Sequence, residues 1–320
     1  MALPEALEGR LRVPLIGAPM FIVSGPELVI AQCQAGIVGS FPALNARPQA
    51  LLGEWLKRIR DELAEYADRH PGQPVSPYAV NQIVHASNPR LMQDLETCVE
   101  HRVPIIITSL RPPEDVVTAV HSYGGLVFHD VISLRHARKA ISQGVDGIIA
   151  VCAGAGGHAG PMSPFALVKE IRREFDGAII LSGSITNGGD VLAARAMGAD
   201  LAYSGTRFIA SDEANATPEY KRMIVDSTAD DIVNSSLFTG VHGNYLKGSI
   251  IQAGLDPDNL PDGSKHDMDF AKATNSDAKA WKDIWGAGQG VGSIDSIQPA
   301  RDIVMSIERE YRETLAVLST

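Results

Sequence analysis

Residues 125–151 read GLVFHDVISLRHARKAISQGVDGIIAV, and the pattern in this stretch decides the fold prediction. Residues 125–131 and 147–151 are short apolar runs rich in β-branched residues, which are typical of strands. Between them, residues 133–144 place apolar side chains at three- and four-residue spacing against a charged face, as an amphipathic helix does. The stretch therefore predicts a strand–helix–strand unit.

The same alternation runs through most of the chain. Eight strands are predicted, at residues 13–19, 36–40, 77–81, 104–109, 125–131, 147–151, 178–183 and 201–209. The clearest helices are predicted at residues 51–69, 89–101, 133–144, 164–175 and 188–199. Because the strands are apolar throughout, helices should cover both faces of the sheet. Eight such units are the count of an α/β protein with a (β/α)8 TIM barrel. A doubly wound open sheet is the competing arrangement.

The position of the unusual residues favours the barrel. Polar or glycine-rich stretches follow predicted strands 1, 3, 5, 6, 7 and 8, and in a barrel these would surround one mouth. After strand 8 the alternation stops, in a polar region that includes LDPDNLPDGSKHDMD (255–269). We predict a TIM barrel over residues 1–210, a smaller helical lid subdomain over 211–296 that lines the substrate pocket, and a C-terminal segment 297–320. A helix at 297–318 in that segment should pack back on the barrel.

The bulk composition excludes several classes of protein. A formal net charge of −10 over 320 residues disfavours non-specific binding to nucleic acid or to an anionic membrane. The three cysteines form no CxxC pair, so neither a disulfide framework nor a zinc pattern is present. The N-terminus lacks the features of a secretory signal, and no apolar run is long enough to cross a membrane. We therefore expect a soluble, cytoplasmic protein with a small-molecule substrate, with a homodimer as the default assembly.

Two consecutive turns suggest a phosphate site. They are LSGSITNGG (181–189) and YSGTRF (203–208), which follow predicted strands 7 and 8. In TIM barrels, the loops after these two strands frequently bind phosphate. Each turn alone could be an ordinary strand-to-helix connection, but their consecutive positions favour a binding site. The candidate donors are the backbone N–H and hydroxyl groups of Gly183, Ser184, Gly205 and Thr206.

The loop CAGAGGHAGPMSP (152–164) follows predicted strand 6 and should lie at the same mouth. Its glycines allow a close approach of the backbone to a ligand, and they leave little bulk to pack His158. A histidine there can act as a general base, although it could also be satisfied by backbone hydrogen bonds that hold the loop closed. Cys152 is more consistent with a small buried side chain than with a nucleophile.

Metal binding is not predicted. The segment HDMD (266–269) and His242 could be grouped as a metal cluster, but HDMD lies in a polar stretch that solvation explains better. The chain contains no EF-hand, HExxH or P-loop pattern.

The motifs together resemble those of the nitronate monooxygenase family, formerly called 2-nitropropane dioxygenases, over nearly the whole chain. The matching pieces are GAPM (17–20), Asn81, GAGGHAG (154–160), LSGSI (181–185), YSGTRF (203–208) and WGAGQGVG (285–292). This resemblance implies a TIM barrel with a non-covalent FMN at its mouth and His158 as the catalytic residue. The implied cofactor-binding residues are Ala18, Pro19, Met20, Asn81, His129, Asp130, Gly157, Gly183, Ser184, Gly205, Thr206, Gly286, Ala287 and Gln289.

The chain departs from the family pattern at two positions. Ser184 stands where the family often has a second glycine, which is tolerated if only the backbone N–H is used. Asp130 stands where some members place a lysine near the flavin, and a carboxylate there would disfavour an anionic reduced flavin. We therefore expect either that His129 takes over this role or that Asp130 points elsewhere.

The resemblance implies oxidation of alkyl nitronates or nitroalkanes with O2 to carbonyl compounds and nitrite. Two alternatives stay open at this point. One is an FMN-dependent NAD(P)H reductase that acts on quinones or enoyl thioesters. The other is a non-catalytic flavin-binding protein.

Overall fold

Eight parallel strands form the centre of the protein. The computed structural model describes residues 3–111, 113–263 and 283–320. The strands are β1 Leu15–Gly17, β2 Gly39–Pro42, β3 Tyr78–Val84, β4 Ile105–Leu110, β5 Leu126–Val131, β6 Gly147–Val151, β7 Ala178–Ser182 and β8 Leu201–Ser204. They pair in the order β1-β8-β7-β6-β5-β4-β3-β2. A parallel bridge from Ile16 to Val38 joins β1 to β2, so the sheet closes on itself. The predicted (β/α)8 barrel is confirmed, and the open sheet is not formed.

Helices connect the strands and cover the outside of the barrel. They are α1 Pro26–Ala35, α2 Leu51–Arg69, α3 Leu91–Glu100, α4 Glu114–His121, α5 Leu134–Ile141, α6 Pro164–Arg172, α7 Gly188–Ala196 and the short α8 Thr206–Ile209. The prediction of a strand to residue 209 was wrong, because the chain turns at Gly205 and the apolar residues after it form α8. Helix α1 was not singled out in the sequence because its consecutive buried residues, such as Leu28, Val29 and Ile30, hide any amphipathic pattern.

The core has two layers. Alternate residues of the strands fill the inside of the barrel, and Ile107, Phe128 and Ile180 are fully buried there. The other face of each strand packs against the helices in a second, larger apolar cluster. Leu7, in the 3-10 helix Glu5–Leu7, belongs to the inner cluster and is fully buried. Because both faces of the strands are buried, the apolar runs seen in the sequence are accounted for.

The chain after the barrel contains strands as well as helices. It forms α9 Pro218–Asp226, β9 Ile232–Ser235, β10 Gly243–Leu246 and α10 Lys247–Gln252. Strand β10 pairs with β9 and also with a two-residue strand, Gly157–His158, from the glycine-rich loop. The expectation of a helical lid is therefore corrected: the strands are short, and one partner of β10, Gly157–His158, lies far away in the sequence. The segment HDMD (266–269) lies outside the described residues.

The last helix, α11 Ala300–Leu318, packs against α7 and α1. The division into residues 1–210, 211–296 and 297–320 stays a prediction. Across the part of the chain that the structure describes, no helix is both long and apolar enough to cross a membrane.

Candidate active site

A cavity of about 640 Å³ opens at the carboxyl ends of the barrel strands. Loops from the barrel form one side of its wall, and residues from the chain after β8 form the other. The structure brings together on this wall most of the residues that the sequence predicted for the site. They are Ala18, Pro19, Met20, Asn81, Asp130, Gly157, His158, Gly183, Ser184, Gly205, Thr206 and Gly286.

His129 is not on the cavity wall, and this corrects one expectation. Successive side chains of a strand point to opposite faces. Phe128 lies inside the barrel, so Asp130 shares its face and lines the cavity, while His129 lies on the opposite face. Its Nδ1 is 2.8 Å from Thr108 Oγ1, and burial lowers the pKa of His129 to about 4. Of the two residues, Asp130 therefore lines the cavity and His129 does not.

Ala287 and Gln289 also lie off the cavity wall. The Ala287 N–H donates to Asn244 O at 3.2 Å, and the Gln289 N–H donates to Gly154 O at 2.9 Å. Ala287 is fully buried, whereas Gln289 is exposed. Ala287 thus joins the segment 286–290 to β10, and Gln289 joins it to the glycine-rich loop.

The glycine-rich loop is packed backbone against backbone. A Cβ on Gly156 would lie 2.8 Å from Gly288 N, and one on Gly288 would lie 2.6 Å from Gly154 O. Asn244 Nδ2 donates to Ala155 O at 2.7 Å in the same region. Part of the glycine content is thus needed for contact with the C-terminal segment, since no side chain fits between the two backbones.

His158 is held by a hydroxyl group from the lid. Its Nε2 is 2.9 Å from Thr239 Oγ1, and that hydroxyl donates to Val241 O at 3.0 Å. Both contacts are satisfied together when Thr239 donates to Val241 O and accepts a hydrogen bond from the Nε2–H of a neutral His158. Burial lowers the pKa of His158 to about 4, so the imidazole is neutral near pH 7.

The two predicted phosphate turns lie next to each other at the ends of β7 and β8. Gly183 has a φ of +141°, and a Cβ on it would lie 2.8 Å from Ala153 O. Ser184 has a φ of +54°, a left-handed conformation that explains why glycine suits this position as well. Thr206 Oγ1 accepts the Gly288 N–H at 2.9 Å, which leaves its own proton available to a ligand. The turns therefore form a narrow cradle of small residues, and its role as a phosphate site stays a prediction.

The start of helix α7 does not contribute to this cradle. The N–H groups of Thr186 and Asn187 donate to Asp190 Oδ2, and the Gly188 N–H donates to Glu310 Oε2 at 2.9 Å. Two carboxylates thus occupy the helix terminus and would repel an anion. The phosphate prediction therefore concerns only the turns at 183–184 and 205–206.

A chain of hydrogen bonds joins the ends of β3, β4 and β5. Asn81 Nδ2 donates to Ser109 Oγ at 2.9 Å, and Ser109 Oγ donates to Asp130 Oδ2 at 2.6 Å. Burial raises the pKa of Asp130 to about 6. Ser109, which also lines the cavity, was missed in the sequence because a serine at a strand end carries no distinctive signal.

The loop after β1 is fixed by Asn45, another residue that the sequence did not indicate. Asn45 Oδ1 accepts the Ile22 N–H at 2.9 Å, and its Nδ2 donates to Met20 O and Ser24 O. Ile22 is held at a φ of +67°, an unusual conformation for a β-branched residue. This arrangement keeps an apolar side chain at the cavity wall.

Two aromatic rings from the chain after β8 complete the wall. Tyr220 and Trp285 stack with ring centroids 4.9 Å apart, and both line the cavity. Trp285 begins the segment WGAGQGVG, so a signal for it existed, whereas Tyr220 and Thr239 lie in a region without a readable pattern. Within the described ranges, no group of three or more His, Cys, Asp or Glu residues could hold a metal ion.

Comparison with known proteins agrees with this architecture. The chain is 27% identical to a nitronate monooxygenase from Paraburkholderia phytofirmans over 95% of this chain and 94% of that protein. Among solved structures, it is similar to FabK from Thermotoga maritima, with a TM-score of 0.74, 25% identity and coverage of 98% and 97% of the two chains. A nitroalkane oxidase from Streptomyces ansochromogenes shares the fold, with a TM-score of 0.79, 22% identity and coverage of 98% and 100%.

The family assignment rests on a match to the sequence profile of a whole family. The sequence profile of the nitronate monooxygenase family matches residues 30–310, which include the strands β2 to β8 and every part of the cavity wall except the loop after β1. The resemblance seen in the sequence motifs is thereby confirmed. The chain belongs to the nitronate monooxygenase family of oxidoreductases.

Proposed function

We propose that this protein is an FMN-dependent enzyme that oxidises alkyl nitronates and nitroalkanes with O2 to carbonyl compounds and nitrite. The observation that carries the proposal is a half-buried, neutral His158 on the wall of the same cavity as the phosphate cradle. The family assignment supports this reaction class. In the overall reaction, a nitronate and half a molecule of dioxygen give one carbonyl compound and one nitrite ion, so that atoms and charge balance.

The cavity residues fit FMN in two parts. Gly183, Ser184, Gly205 and Thr206 would hold the phosphate. The small or apolar residues Ala18, Pro19 and Met20 would lie along the flat ring system. When bound, FMN supplies the redox chemistry, and the protein supplies binding, positioning and proton transfer.

His158 would then act as the base for a neutral nitroalkane. A neutral imidazole has one unprotonated ring nitrogen, which can accept the proton from the carbon next to the nitro group. An anionic nitronate has already lost that proton and needs only binding. The apolar wall that includes Ile22 and Trp285 suits the alkyl part of such a substrate.

Aerobic and anaerobic assays of the purified protein distinguish the three functions. We expect a bound flavin in the visible spectrum, and nitrite released in air from an alkyl nitronate. Rapid bleaching of the flavin by NADH or NADPH without oxygen, together with no nitrite release, would instead indicate a reductase of quinones or enoyl thioesters. A flavin that neither substrate class reduces would identify a non-catalytic binding protein, and a failure to bind FMN would overturn the proposal.

Substitution of Gly183 tests the phosphate cradle. Gly183→Ala should weaken FMN binding by about 10- to 100-fold, because the methyl group meets Ala153 O and displaces the N–H groups of the turn. Gly72→Ala is the matched control, since Gly72 also has a positive φ but nothing lies within 4 Å of its Cβ position. Fluorescence titration of FMN gives both dissociation constants. Equal affinity in the two variants would place the phosphate elsewhere.

A further inference from the structure

Three large apolar side chains on the described wall of the cavity are exposed, whereas the other large apolar side chains there are buried or half-buried. The three are Ile22, Leu110 and Ile132, with relative exposures of 36%, 38% and 37%. Leu110 ends β4 and Ile132 directly follows the neighbouring strand β5, while Ile22 lies in the loop after β1, which β2 and β3 separate from β4. These three residues, the apolar rim, thus present hydrocarbon from two sides of the mouth.

Two residues of the apolar rim have a strained backbone. Ile22 has a φ of +67° and Leu110 has a φ of +81°, in the region that favours glycine and asparagine. In the described chain, four non-glycine residues have a positive φ, and three of them, Ile22, Leu110 and Ser184, line the cavity. Strained residues cluster at ligand sites, where the surrounding structure maintains them against their cost. The backbone of the rim therefore points to contact with a ligand.

The surrounding structure holds both residues in this conformation. Asn45 Oδ1 accepts the Ile22 N–H at 2.9 Å, and Asn215 Nδ2 donates to the Ile22 carbonyl oxygen at 3.0 Å. At Leu110, the pairing with β3 continues to the last residue of β4. Glycine or asparagine would relieve the strain, and a polar side chain would be better solvated, so neither backbone nor water favours these two residues. A ligand that covers their side chains accounts for both features.

The apolar rim is continuous with the loop that carries His158. A Cβ on Gly160, two residues after His158, would lie 2.8 Å from Ile132 Cβ, so this loop packs directly against the rim. No Lys or Arg among the described residues lines the cavity wall. A second anionic group on a substrate would therefore find no Lys or Arg partner on this part of the wall. The surface next to His158 suits an extended hydrocarbon chain.

We infer that the substrate carries a long, unbranched alkyl chain that lies between Ile22 and Leu110, and that these two residues determine the preference for chain length. The inference rests on the proposed function for the head group, which is a nitro or nitronate group next to His158. Burial of each methylene group of the chain strengthens binding about fourfold. Because the chain is remote from the reacting carbon, its contacts are equal in the ground state and the transition state. The gain should therefore appear in KM and not in kcat.

Nitrite release from octyl nitronate and butyl nitronate tests the inference. In the wild type, kcat/KM for octyl nitronate should exceed that for butyl nitronate by about 10- to 100-fold. Ile22→Asn and Leu110→Asn should each lower this ratio by about fivefold or more, through KM, because asparagine tolerates the positive φ but cannot replace the hydrocarbon contact. Arg102→Asn is the matched control. Arg102 has a φ of +49° but lies before β4, at the opposite end of the barrel, so its variant should keep the wild-type ratio.

A ratio near one in the wild type, or a wild-type ratio in either rim variant, would overturn the inference. Weaker FMN binding in the variants with an unchanged ratio would mean that the rim holds the flavin. Octanoate and butanoate, unreactive anions that have two head-group oxygens as a nitronate does, give a measurement that needs no turnover. In calorimetric titrations of the purified protein, octanoate should bind on the order of 10-fold more tightly than butanoate, and both rim variants should reduce this difference. If no nitronate yields nitrite, the proposed function fails, while the two carboxylates still decide whether the rim binds an alkyl chain.

Discussion

Replacement of His158 by asparagine is expected to lower kcat/KM for a neutral nitroalkane by about 100- to 10,000-fold, the usual contribution of a general base. The asparagine amide keeps a polar group near Thr239 but cannot accept the substrate proton at neutral pH. With a preformed nitronate the loss should be much smaller, because that substrate needs no deprotonation. Nitrite release measured with both substrates on protein of equal flavin content gives this comparison.

His242→Asn is the matched control for this experiment. His242 is exposed directly before β10, and its Nδ1 bonds Asn234 Oδ1 of β9. Its substitution should leave kcat/KM for both substrates within about threefold of the wild type. Equal losses for nitroalkane and nitronate in His158→Asn would show that His158 binds substrate and is not the base.

The contact with Thr239 provides a graded version of the same test. Thr239→Val removes the acceptor of the His158 Nε2–H, so the preference for one tautomer is lost, and kcat for the neutral substrate should fall by about 10-fold. Because burial lowers the pKa of His158 from 6.5 to about 4, the base is neutral and active above that pH. Activity of the wild type on a nitroalkane should therefore persist as the pH falls to 5. An unchanged kcat in Thr239→Val would exclude a positioning role for this hydroxyl group.

Gly188→Ala is expected to destabilise the protein by about 1–3 kcal/mol, or more if the helices cannot separate. Gly188 begins α7 at the point where this helix crosses α11, and a Cβ there would collide with Tyr311 N and Ile307 O. The colliding atoms belong to the backbone of a helix, so no side-chain rotation can relieve the contact. The loss should appear as a lower midpoint of urea unfolding at saturating FMN.

The neighbouring glycine is the control for this prediction. A Cβ on Gly189 would lie 3.2 Å from Asn187 Oδ1 and 3.7 Å from Thr314 Oγ1. Alanine is the better helix former by up to about 1 kcal/mol, which offsets the tight contact. Gly189→Ala should therefore change the free energy of unfolding by less than about 1 kcal/mol. A similar loss in both variants would mean that the crossing of α7 and α11 tolerates a methyl group.

Much of the barrel could be predicted because its elements are encoded locally. Helix α2 spans residues 51–69 as predicted, since its apolar stripe faces the sheet and its other face is charged. The turns at Gly183 and Gly205 were found for the same reason, because small residues directly follow a recognisable strand. Helix α1 and the end of β8 were harder to predict from the sequence. A continuous apolar run has no periodicity that would distinguish a helix from a strand.

By itself, the sequence determined the barrel, its family and the mouth at which the site lies, because strand and helix periods, glycine turns and the order of elements are properties of neighbouring residues. Only the tertiary structure decided that Asp130 and not His129 faces the cavity, since a strand buried on both faces carries no alternation to show its orientation. Only the tertiary structure also showed that Thr239 contacts His158, which is 81 residues away in the sequence. Such contacts depend on how the closed barrel places distant loops at one mouth, and no local pattern records that placement.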